Sequence, residues 1–119
     1  MAFDEILADR IREQLSQLKK EFREMKMMGG LCFMVDDKMC LGINDSDLMA
    51  RVGPEAYEFA LSKPGCREMN FTGRPLKGFV YVSSESIDLD EDLHFWVDLC
   101  LQYNPHAKRS RKKTSRKKQ

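Results

Sequence analysis

The sequence predicts an α+β fold: an antiparallel, or mixed, sheet of about five or six strands with helices packed on it. Three observations point there. Helical periodicity marks both ends of the chain's apolar-patterned part. Strand-like alternation crowds between them. One further helix interrupts the strands, so that the expected order is α-β-β-β-β-α-β-β-α. The 119 residues are the size of one domain, and at 42% hydrophobic they can bury a core. No run of 18 or more apolar residues occurs, so no membrane span is expected.

Residues 3–19 read as an amphipathic helix. Phe3, Ile6, Leu7, Ile11, Leu15 and Leu18 recur at three- and four-residue steps, with Asp4 and Glu5 at the start and Lys19 and Lys20 at the end, as the helix dipole favours. Residues 21–28 read as a first strand, in which Phe22, Met25 and Met27 alternate only roughly, and Gly29-Gly30 breaks it. Residues 31–35 and 38–43 form a hairpin around Asp36-Asp37. A two-residue loop sets Val35 opposite Lys38, Met34 opposite Met39 and Phe33 opposite Cys40. Period-two alternation then places Leu31, Phe33, Val35 and Cys40 on one face, and Cys32, Met34, Met39, Leu41 and Ile43 on the other. Both faces are apolar. The chain's own helices can cover one, and the second calls for another helix or another subunit.

Residues 47–52 continue as a strand. Gly53-Pro54-Glu55 opens a helix with Tyr57, Ala60 and Leu61 inside, ended by Lys63-Pro64-Gly65. Residues 67–71 are a short strand and residues 72–75 a turn. Residues 76–82 are a strong strand, with Phe79 and Tyr81 on the side away from Val80 and Val82. The last helix spans residues 88–103. Its stripe is Leu89, Leu93, Trp96, Val97, Cys100 and Tyr103, Asp90, Glu91 and Asp92 load its first turn, and Pro105 stops it.

Three segments carry a family resemblance. They are Lys26-Met27-Met28-Gly29-Gly30-Leu31-Cys32-Phe33-Met34-Val35 with Lys38-Met39-Cys40, then Leu48-Met49-Ala50-Arg51-Val52-Gly53-Pro54-Glu55-Ala56-Tyr57, then Phe71-Thr72-Gly73-Arg74-Pro75-Leu76-Lys77-Gly78-Phe79-Val80-Tyr81-Val82. In this order they resemble the signature of the TfoX (also Sxy) N-terminal domain family, over most of residues 3–103. The resemblance implies a compact domain with an antiparallel sheet. It also implies kinship with regulators of bacterial competence, which act on transcription without a known enzymatic activity. Those regulators carry a second, helical domain after this one. Here a basic tail follows instead, so competence regulation itself is not carried over.

Chemistry-bearing groups are sparse. The four cysteines, Cys32, Cys40, Cys66 and Cys100, form no CxxC pair, and they read as reduced, mostly buried thiols. Cys32 and Cys40 fall on opposite faces of the hairpin, so they should neither bridge nor share a metal. His94 has no partner evident in the sequence and reads as a surface imidazole, and His106 lies in the tail. No phosphate-cradling glycine motif, nucleophile elbow or zinc-protease motif occurs. No catalytic residue, metal site or cofactor is therefore expected. The best candidate site in the body is basic: Arg51 and Gly53 before a helix start, with Arg74 and Lys77 at a turn, which together could hold an anion if the loops are adjacent. Met25, Met27, Met28, Met34, Met39 and Met49 gather around the sheet. They read as core filler, or else as a contact surface for a protein partner or a homodimer.

Charge divides the chain in two. Residues 1–105 hold 12 Lys/Arg and 19 Asp/Glu, a net −7, whereas residues 106–119 hold 8 Lys/Arg and no acid, a net +8. The first segment is thus expected to be the folded domain and the second a disordered tail, with nothing apolar beyond Ala107 to offset its ordering entropy. Lys108, Arg109, Arg111, Lys112, Lys113, Arg116, Lys117 and Lys118 make it an attractor for DNA or RNA phosphates. No aromatic is interleaved, so sequence preference should be weak. The acidic start of the chain, in a helical pattern, is unlike a signal or transit peptide, and a cytoplasmic location is expected. The sequence reading is a non-enzymatic regulatory or binding module with nucleic-acid affinity in its tail. The alternative is a dimeric protein–protein adaptor with no nucleic-acid role.

Overall fold

Asp4 begins the first helix in the computed structural model, which describes residues 3–27, 29–70 and 75–107. Its carboxylate accepts from the amides of Ile6 and Leu7 at 2.9 and 3.2 Å, satisfying two of the helix's free donors. Helix α1 (Glu5–Gln17) ends in a Schellman turn. There the amide of Lys20 donates to Leu15 O at 2.9 Å and that of Lys19 to Ser16 O at 3.0 Å, while Lys19 takes φ 59°. The helix buries Leu7, Ala8, Ile11 and Leu15. Two expected stripe residues do not join them: Ile6 is 74% exposed and Leu18, at the C-cap, 37%.

The strands follow as β1 (Arg23–Met27), β2 (Gly30–Val35), β3 (Lys38–Asn44) and β4 (Asp47–Arg51), then helix α2 (Tyr57–Leu61), β5 (Cys66–Asn70), β6 (Pro75–Val82) and helix α3 (Asp90–Tyr103). This is the expected α-β-β-β-β-α-β-β-α order, and the fold is α+β. One six-stranded sheet runs β1-β2-β3-β4-β6-β5, antiparallel at every junction. The Asp36-Asp37 loop is a two-residue turn with φ 59° and 62°, the left-handed pair that matches strand twist in tight hairpins.

The β2–β3 register corrects the expected face assignment. Val35 opposes Lys38 and Met34 opposes Met39, but Phe33 then opposes Leu41, because Cys40 is an extra residue in β3. A bulge resets alternation. Leu41 and Ile43 therefore join Leu31, Phe33, Val35 and Cys40 on the helix-covered face instead of lying with Cys32, Met34 and Met39.

That face is the main core. All three helices contribute, with Ile11, Leu15, Tyr57, Ala60, Leu93, Trp96, Val97 and Cys100 against Phe33, Leu41, Leu48, Val80 and Val82. Each fully buried aliphatic or Phe side chain stabilises by about 1.5–3 kcal/mol relative to exposure. Helix α2 starts later than Pro54, because residues 54–56 form a turn before it. A 3₁₀ turn at Ser84–Ile87, not expected from the sequence, buries Ile87 ahead of α3. Arg10 of α1 fixes this joint, donating to Ile87 O at 2.8 Å and Asp88 O at 3.2 Å. Leu89 caps α3 from outside its stripe, 60% exposed. No described helix is long and apolar enough to cross a membrane.

Candidate functional site

Parts of the segments expected to form an anion site meet at Gly53 and Gly78. At the end of β4, the amides of Val52 and Gly53 both donate to Gly78 O of β6, at 2.8 and 3.1 Å. Gly53 (φ 91°) and Gly78 (φ 96°) are in conformations that side chains rarely adopt. A Cβ on Gly53 would lie 2.3 Å from the Tyr103 ring, and one on Gly78 3.2 Å from the Gly53 carbonyl carbon. The Gly53 amide is thus already engaged, and Pro54 has none to offer. Arg51 is half-buried. Its guanidinium donates to Met39 O at 3.3 Å and lies 5.2 Å from the Phe79 ring centre and 5.9 Å from that of Tyr103. It ties β3, β6 and α3 together. Lys77 is exposed on β6 beside this joint, and Arg74 lies outside the described residues.

The sheet face away from the helices carries a second cluster. Cys32, Met34, Met39, Met49 and Met69 are 0–4% exposed, with Phe79 and Tyr81 packed against them. Among the described residues no helix contributes to it. The long methionine side chains fill this layer without one, so its burial does not wait for another helix or subunit. Arginines roof it. Arg67 lies over the Tyr81 ring at 5.0 Å and pairs with Asp47, and Arg23 donates to Asp37 Oδ1 at 2.8 Å.

Titratable groups are displaced by burial more than by function-like pairing. Burial pushes the Cys32 and Cys66 thiols up to about 11 and Cys40 up to about 12, and holds Cys100 well above its ordinary range. Cys32 and Cys40 do lie in opposite layers. Among the described residues no group of three or more His, Cys, Asp or Glu could hold a metal ion. His94 is exposed on α3. A cleft of about 530 Å³ lies between the start of α2 and the end of α3, lined in part by Glu55, Gln102, Tyr103 and His106. The Gln102 side-chain amide donates to Asp98 at 2.8 Å.

Sequence reasoning missed two arrangements. At the sheet edge, Arg12 of α1 donates to both oxygens of Glu24 on β1, at 2.6 and 2.8 Å, and this pairing holds the Glu24 carboxyl below its usual range. Just after α3, Asn104 is buried and donates through Nδ2 to Val35 O at 3.1 Å. Lys38 Nζ donates to Asn104 O at 3.1 Å and Pro105 O at 3.3 Å, placing a cation on the carbonyl end of α3. Packing continues through Ala107, 7% exposed. No local motif announces either contact, since the partners are far apart in sequence. The eight cations that follow Ala107, Lys108 through Lys118, lie outside the described residues.

Comparison with known families matches residues 13–103 to the model of the TfoX N-terminal domain. No curated protein and no solved structure matches the chain.

Proposed function

The chain belongs to the TfoX N-terminal domain family, and from that premise we propose that it is a regulatory module that works by docking, holding DNA or RNA through its basic C-terminal run. The family is a regulatory, non-catalytic one, which supports docking over turnover.

The observation that carries the nucleic-acid part is the charge division: −7 over residues 1–105 against +8 over residues 106–119. An acidic body repels phosphate, so contact concentrates on the run from Lys108 to Lys118. The run starts from a fixed point, because Asn104 and Pro105 are held against the β2–β3 hairpin and Ala107, bonded to Asn104 O, is buried. Without interleaved aromatics, binding rests on counterion release and tolerates any sequence.

Fluorescence anisotropy with labelled duplex DNA and single-stranded RNA tests the reading, comparing the full chain with one ending at Ala107. The full chain is expected to bind both at low salt, and the shortened chain to bind neither. Equal binding by the two chains would remove the basic run from the account.

A further inference from the structure

We propose that the chain pairs with a second copy of itself through the outer edge of β1, antiparallel and centred on Met25. β1 ends the sheet, and among the described residues its backbone bonds only to β2. An open edge of this kind is a template for another strand.

The strand's own sequence selects the register. Residues opposite each other on antiparallel strands share a face, so a two-fold axis normal to the sheet passes through a residue on this edge. With the axis on Met25, Glu24 of each copy faces Lys26 of the other, twice by symmetry. An axis on Glu24 sets two carboxylates against each other. One on Lys26 sets two ammonium groups together, and one on Arg23 two guanidinium groups. Unlike charges opposite one another stabilise a strand pair and like charges weaken it, so the Met25 register stands out among these.

The two faces agree with that choice. Glu24 lies on the helix side, where Arg12 also pairs with Asp9 at 2.7 Å. Lys26 of a second copy extends this run to four alternating charges. On the other side Met25, 42% exposed, pairs with Cys32 at the margin of the methionine layer. Meeting its own copy there removes apolar surface from water and joins the two layers into one. Further from the edge the helix-free face needs no such cover, since Met34, Met39, Met49 and Met69 are already buried. This pairing does not involve the basic run, so a chain ending at Ala107 pairs equally well. A failure here is thereby distinct from a failure of nucleic-acid binding.

Sedimentation velocity on the full chain, up to about 0.5 mM, is the test, because a five-residue edge sits at the small end of specific interfaces. A dimer is expected. Lys26→Glu and Glu24→Lys should each weaken it about tenfold or more, as like charges then face each other at both symmetric positions. Mixing the two variants should restore pairing, because each supplies the charge the other lacks. Circular dichroism checks that they stay folded. Met25→Asp, at an exposed position, gives a second disruption that leaves the Arg12–Glu24 pair intact. A monomer for the unsubstituted chain at the highest concentration would overturn the proposal. So would a dimer indifferent to Lys26→Glu and Met25→Asp, or folded variants that fail to recombine.

Discussion

Arg51 and the glycines near it explain why charged, glycine-marked loops in a sequence do not by themselves make a ligand site. Residue type and spacing grouped Arg51, Gly53, Arg74 and Lys77 on the condition that their loops were adjacent, and among the described residues the contact between these segments is that of Val52 and Gly53 with Gly78. What the sequence could not carry is that the Gly53 amide is already donating and that Arg51 is wedged between the Phe79 and Tyr103 rings. Those partners come from β6 and α3, far along the chain. The cysteines were legible, because thiols without a partner motif pack as small hydrophobes, and Cys32, Cys40 and Cys100 are buried. Their raised pKa values have a pH consequence. Unfolded thiols ionise near pH 8.5, whereas the folded ones stay protonated to about 11 or 12, so the unfolded state is favoured as pH rises between those limits. Thermal unfolding followed from pH 7 to 10 is expected to show a melting temperature falling above about pH 8.5. In the same range the native chain should alkylate slowly, with all four thiols reacting promptly only in denaturant. Prompt reaction of Cys32 or Cys40 in the folded protein would contradict their burial.

At the scale of elements, the strands with one clear apolar phase were readable and the one with two was not. Val80 and Val82 alternate with Phe79 and Tyr81, and β6 turns them to opposite layers as expected. In β3 the residues Met39, Cys40, Leu41 and Ile43 are apolar in both phases, so nothing in the pattern reveals where the bulge sits. Helix ends were blurred for a related reason: Ile6, Leu18 and Leu89 fit the helical period but are exposed, Leu18 and Leu89 at the caps of their helices and Ile6 in the first turn of α1. The end of α1 also holds a local strain. Lys19 occupies the left-handed position of the Schellman turn at φ 59°, where glycine carries no steric penalty. Lys19→Gly should therefore stabilise the protein by about 1 kcal/mol in denaturant unfolding, with an unchanged m-value. A loss of stability would mean that the Lys19 side chain makes a contact outweighing its backbone strain.

Over the whole molecule, two features are separable: a sheet with one helix-covered face and one methionine-filled face, and a charge division that falls just after the anchored residue Asn104. Val35 of β2 and Lys38 of β3 hold Asn104 on the β2–β3 hairpin, so the eight cations follow a defined place on an acidic body. Neither contact depends on the basic run, and the folded part should unfold identically with or without residues 108–119. The docking account depends on phosphate neutralisation by that run, and the salt dependence of binding measures it directly. If six to eight phosphates are contacted, a plot of log affinity for duplex DNA against log salt should fall with a slope of about −5 to −7. The same plot for the chain ending at Ala107 should show no measurable binding. A slope near zero for the full chain, or the same steep slope without the eight cations, would contradict the account.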